Sequence, residues 1–170
     1  MYEVAWQEMP ERSLLCLKRN ADEQGVWDLG KEFIAIFRER PLPKIEGREW
    51  AWFLIYWGEV SADSDGPVEI CKPVPRAEAQ ALAEHYPELT LRTEPAHSEA
   101  FVALGPATGV TAAKWHLAWE ALLAWKEEQG IEDERLTLKP EDLGLRLTYL
   151  ATGPAAATNG PDCDLAAPFA

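Results

Sequence analysis

The chain of 170 residues fits one domain, and its 47% apolar residues are ample for a core. Its formal net charge of −13 sets an acidic surface against phosphate backbones, so nucleic-acid binding by this chain alone is not expected. No apolar run reaches the roughly 18 residues needed to cross a bilayer, so no membrane-spanning helix is expected.

The N-terminal MYEVAWQEMPER has no basic start followed by an apolar stretch. No secretory leader is therefore expected, and the reading is cytoplasmic. After Pro10, the short apolar run Leu14 to Lys18 predicts a buried strand. Val26, Leu29, Phe33 and Phe37 recur at helical spacing, and Pro41 closes that helix. Phe53 to Val60 and Val68 to Val74 then read as two strands paired across the turn-rich SADSDGP. RAEAQALAEHY, Arg76 to Tyr86, predicts a short joining helix.

Ala100 to Leu104 is again a short apolar run after a proline. GPATG, from Gly105, is a turn and not a phosphate cradle. Trp115, Ala118, Trp119, Leu122 and Trp125 make a second helical stripe, with Gly130 placed as its C-cap. EEQGIEDE reads as a solvated helix end and loop. Leu145 to Leu150 and Leu165 to Phe169 predict a final strand pair across ATGPAAATNGPDC.

The two halves repeat one order of elements. Anchors correspond at offsets of 85 (Pro10 to Pro95), 88 (Trp27 to Trp115, Phe37 to Trp125), 93 (Tyr56 to Tyr149) and 95 (Pro73 to Pro168). The offset only grows, as insertions in the second copy would make it. The predicted fold is α+β: duplicated β-α-β-β units about a pseudo-twofold axis, an antiparallel sheet with helices on one face and a central ligand groove. A single domain is expected over residues 1–170, with repeat 1 about 1–75, a linker helix about 76–87 and repeat 2 about 88–170. The groove belongs on the bare sheet face or at the seam between the halves. The same surface could instead be buried in a homodimer.

Cys16, Cys71 and Cys163 are odd in number and far apart, which suggests buried thiols in a reducing compartment. His85, His97 and His116 are scattered, so neither a metal site nor a cofactor is expected. Tyr56 and Tyr149 occupy equivalent strand positions, each offering a ring to stack and a hydroxyl to orient a guest. Alternation puts Tyr56 on one strand face and Trp57 on the other, without saying which face lines the groove. Trp57 is a ligand candidate because no helix stripe accounts for it. Trp27 could roof a pocket, and Trp115 and Trp119 are core residues that could also touch a ligand. Glu59, Glu69 and Glu120 are the carboxylates that could act as a general acid if the protein is an enzyme.

EMPERSLLCLK, FLIYW followed by VEICKPVP, EPAHSEAFVALGP, AWEALLAWKEEQG and the closing APF occur in an order that resembles the GyrI-like small-molecule-binding domains. These are SHS2-type duplicated modules, also found as effector-binding domains of MerR- and AraC-type transcription regulators. The resemblance covers essentially the whole chain. It implies a multidrug-type aromatic pocket for bulky, planar or cationic compounds, and places Leu147 and Tyr149 in it. The family often carries a glutamate two residues before the later tyrosine, where this chain has Leu147. Its GPY appears here as Gly105-Pro106-Ala107. The missing glutamate favours a neutral, apolar ligand and weakens the case for chemistry that needs that acid.

The leading expectation is a stand-alone protein that binds or sequesters a hydrophobic, planar or cationic small molecule. The alternatives are a GyrI-like hydrolase of a cyclopropane-containing or otherwise electrophilic compound, and a gyrase-inhibiting protein-binding module.

Overall fold

The structure, a computed structural model, describes residues 2–41, 50–131, 146–150 and 162–169. Its elements are β1 (Val4–Met9), β2 (Arg12–Ala21), α1 (Glu23–Glu39), β3 (Trp50–Tyr56), β4 (Gly66–Val74), α2 (Ala79–His85), β5 (Thr90–Glu94), β6 (His97–Pro106), α3 (Ala112–Glu128), β7 (Arg146–Leu150) and β8 (Asp162–Phe169). A single 3₁₀ turn leads into each of α2 and α3. The α+β class and the pairings β3 with β4 and β7 with β8 are as the repeat predicts. The two copies meet where β3 pairs with β7.

The strands form one antiparallel sheet in the order β1-β6-β8-β7-β3-β4-β2-β5. β1 and β5 are an addition to the predicted β-α-β-β units. Each precedes the first strand of its own copy but pairs with the first strand of the other. The partner numbers sum to 106 in both ladders, from Val4↔Val102 to Met9↔His97 and from Arg12↔Glu94 to Cys16↔Thr90. β1–β2 and β5–β6 are therefore two long strands running antiparallel, each broken once. The breaks fall at Pro10-Glu11 and Pro95-Ala96, where proline removes a ladder donor.

Those breaks determine the shape. In a flat sheet β1 and β2 would lie about 29 Å apart at ~4.8 Å per strand. The link from Met9 to Arg12 spans at most about 11 Å at 3.8 Å per Cα step. The sheet must therefore roll back on itself. α1 packs on β2 and β4, and α3 on β1, β6 and β8, all on the outside of the roll.

Outer side chains make two helix-covered cores. One holds Leu15, Leu17, Leu29, Phe33, Leu54 and Ile70; the other holds Val102, Ala118, Leu122, Leu147 and Leu165. The inner face is buried by the roll itself: Leu14, Cys16, Phe53, Ile55 and Cys71 are at most 2% exposed. The sheet face opposite the helices, one of the two predicted places for a groove, is thus packed at its centre.

Asp22 caps α1 by accepting from the Gly25 amide at 2.7 Å, and Thr111 caps α3 by accepting from Lys114 at 3.2 Å. Gly130, two residues past α3, has φ of +64°, the left-handed conformation that suits glycine after a helix.

Candidate functional site

α1 and α3 leave the middle of the outer face, β3 against β7, as a floor between them. On that floor Trp52, Leu54 and Tyr56 share the outward face of β3, and Leu147 lies on β7 opposite Leu54. Leu54 and Leu147 are buried, while Trp52 and Tyr56 keep partial exposure.

Tyr56 touches both cores. Its ring meets Trp115 of α3 edge to face, with centroids 5.4 Å apart and planes at 77°. Burial, with a smaller push from the Glu23 carboxylate, raises its hydroxyl to about 12. At neutral pH Tyr56 is therefore an uncharged phenol. Glu23, in the first turn of α1, is a negative charge near this floor that sequence reading did not single out.

The predicted site residues separate into groups. Tyr56, Trp115 and Leu147 come together at the seam, with Trp119 half-buried along the same side of α3. Tyr149 is the register partner of Trp52 and Cys163, and its side chain lies outside the described residues. Trp27 stands on α1 with 63% of its surface exposed. Trp57 faces the inside of the roll, where its indole N–H donates to Glu69 Oε1 at 3.3 Å and Lys18 Nζ lies 5.7 Å from its ring centroid. Tyr56 and Trp57 thus lie on opposite faces of the sheet.

The three candidate acids lie on three different surfaces. Glu59 is exposed beyond β3. Glu120 is exposed on α3, 3.1 Å from His116 Nε2. Glu69 is buried and held by Arg92, whose Nε and Nη2 lie 3.1 and 2.6 Å from its two oxygens.

Sequence reading also missed the most polar part of the interior. Glu94 of β5 accepts from Arg12 Nε at 2.7 Å and from Arg146 Nη1, and no side-chain surface of Glu94 or Arg146 is exposed. Glu99 joins them, 3.2 Å from His97 Nε2 and 3.9 Å from Arg146 Nη1. Arg12 and Arg146 stand 4.4 and 5.1 Å from the Phe53 ring centroid. Burial pushes the Glu94 carboxyl up, but the guanidinium charges of Arg146 and Arg12 together overturn that and hold it at about 2. Burial likewise opposes ionisation of Glu99, and His97 and the same arginines bring it below its usual range. The available signal was the alternation in HSEAFVALG, which sets His97, Glu99 and Phe101 against Ala100, Val102 and Leu104.

A separate cavity of about 300 Å³ lies where β2 enters α1, lined by residues that include Arg19, Asp22, Asp28, Glu32 and Asp65. Charged side chains and apolar ones such as Leu29 share its lining, and none of the predicted ligand-binding residues lines it. Among the described residues, no helix is long and apolar enough to cross a membrane.

No family model and no curated protein matches the chain. Solved structures do. The EcmrR C-terminal domain superposes with a TM-score of 0.66 at 15% identity, over 99% of this chain and 97% of that one. The EcmrR chain in its complex with DNA gives 0.65 at 14%, and this chain spans 56% of its length. A hydrolase from Listeria innocua gives 0.55 at 13%, over 99% of this chain and 92% of that one. SAV2435 bound to tetraphenylphosphonium gives 0.58 at 10%, over 98% of this chain and 93% of that one. At these identities the likeness is one of fold alone. The chain shares the α+β fold of these solved structures, as the resemblance to GyrI-like domains leads one to expect.

Proposed function

We propose that the protein binds a hydrophobic, planar or cationic small molecule on the β3–β7 floor between α1 and α3. The observation that carries this reading is Tyr56. It is partly exposed at the junction of the two cores, its ring set edge-on to Trp115, beside the apolar Leu54 and Leu147. A flat aromatic guest gains there by burying apolar surface, at about 25 cal/mol per Å², and by contact with the rings. The phenol, uncharged at neutral pH, can orient a polar group of the guest. Leu147 supplies no charge to a cation, so attraction would come from the ring faces and from Glu23. SAV2435, which shares the fold, was solved with a bulky aryl cation, and that supports the ligand class.

The test is tryptophan fluorescence titrated with tetraphenylphosphonium and with a neutral aryl compound of similar size. Saturable quenching that weakens in Tyr56→Ala and Trp115→Ala supports the reading. Absence of saturable quenching by either compound contradicts it.

A further inference from the structure

Cys16 and Cys71 are 55 residues apart in sequence and far apart in any motif sense, yet they are register partners on β2 and β4. Their Sγ atoms lie 3.2 Å apart. Both thiols are buried on the inner face of the roll, at 2% and 0% exposure. Directly opposed residues of antiparallel strands have Cα atoms about 4.5–5.5 Å apart, inside the range a disulfide spans. Their Cβ atoms leave the sheet on the same side, so closing the bond requires side-chain rotation with little backbone movement.

The surroundings choose between the two chemistries open to such a pair. Glu69 Oε lies close enough to complete a three-ligand metal cluster with the two sulfurs. That carboxylate is already gripped through both oxygens by Arg92, and Arg92 Nη2 also lies 3.9 Å from Cys71 Sγ. Arg92 occupies both Glu69 oxygens and sets a positive charge beside the sulfurs, which leaves that carboxylate poorly placed to ligate a metal cation. The Arg92 side chain is 27% exposed, so the cluster borders solvent on that side.

We propose that Cys16 and Cys71 are a redox modification site, a dithiol that closes to a cross-strand disulfide when a small hydroperoxide reaches it. The sulfur of Cys71, beside Arg92, attacks the peroxide oxygen as thiolate; the O–O bond breaks, a sulfenic acid forms, and one water leaves after proton transfer. The Cys16 sulfur then attacks the Cys71 sulfur, the S–O bond breaks, and a second water leaves. Two thiols and one hydrogen peroxide become one disulfide and two waters, with the sulfurs oxidised by two electrons and the peroxide reduced by two. Burial pushes the Cys71 thiol well above its usual range, and Cys16 and Glu69 add to this against the opposing charge of Arg92. Closure is therefore slow, on the scale of a protective or recording modification and not of a fast peroxidase.

The folded protein is treated with hydrogen peroxide, quenched, denatured in an alkylating agent and mapped by mass spectrometry. The expected result is a Cys16–Cys71 cross-linked peptide, loss of two of the three titratable thiols, and Cys163 alkylated. Cys163→Ala should give the same cross-link. Cys16→Ser should stop Cys71 at the sulfenic acid or carry it to higher oxides. Arg92→Gln should slow cross-linking several-fold while circular dichroism shows the fold intact. Three alkylated thiols after oxidation would overturn the proposal. So would over-oxidised Cys71 without cross-link in the unsubstituted protein, or a cross-link that forms only when the chain is unfolded before oxidation.

Discussion

Glu94 and Arg146 form an ion pair with no exposed side-chain surface on either partner, although β5 is an edge strand and β7 lies four places away in the sheet. In a flat sheet that separation would be about 19 Å. The pair exists because the bends at Pro10-Glu11 and Pro95-Ala96 roll the sheet until one half faces the other.

Glu94→Gln should destabilise the protein by about 3–5 kcal/mol, the usual cost of stranding one member of a buried ion pair. Arg146 Nε and Nη2 already have no hydrogen-bond partner among the described residues, so it has little to fall back on. Pairing the change with Arg146→Met should recover part of the loss. Urea unfolding of the single and double variants gives the coupling.

Acid should unfold the protein through the same cluster. The Glu94 carboxyl is held at about 2 in the folded chain against an ordinary 4.5, and Glu99 is also lowered. A depressed carboxyl stabilises fully above its unfolded value, and the contribution disappears as pH falls through the folded one. Stability should therefore fall between about pH 5 and pH 2. Glu94→Gln should flatten that slope, as denaturant midpoints across pH would show.

The caps offer a test of the duplication at equal stations. Asp22→Ala and Thr111→Ala each remove a side-chain acceptor from the first turn of the equivalent helices α1 and α3. Each should cost about 1 kcal/mol. Because the helices sit on separate halves, the losses should add within about 0.5 kcal/mol in the double variant.

Glu23 is expected to decide charge preference at the seam. Glu23→Gln should weaken binding of tetraphenylphosphonium several-fold and leave a neutral aryl compound unchanged, measured by calorimetry. It should also lower the apparent pKa of Tyr56, now at about 12, in an ultraviolet pH titration. Equal losses for both ligands would assign Glu23 a packing role only.

Local signals carried much of this architecture. Val26, Leu29, Phe33 and Phe37 announce α1, and Trp115 to Trp125 announce α3, because a helix stripe is a short-range pattern. The prolines at offset 85 proved to be the two bends of the roll, although they looked only like strand entries. β1 and β5 escaped because each pairs with the other copy, a choice made by distant partners and not by local composition. The floor was half legible: strand alternation separated Tyr56 from Trp57, but which face meets the helices depends on how the sheet rolls. Arg146, Glu94 and Glu99 were illegible as a cluster, since a lone charge in a strand looks the same whether solvent or an opposite charge faces it.

The outer β3–β7 floor, at Tyr56 and Trp115, is the proposed seat of the ligand. The most direct measurement is calorimetric binding of tetraphenylphosphonium to the unsubstituted protein, Tyr56→Ala, Trp115→Ala and the double variant. Each single variant should lose at least tenfold in affinity, on the order of 1.4 kcal/mol, with coupling between the two because their rings touch. Unchanged affinity in the double variant, with the fold intact, would contradict that placement.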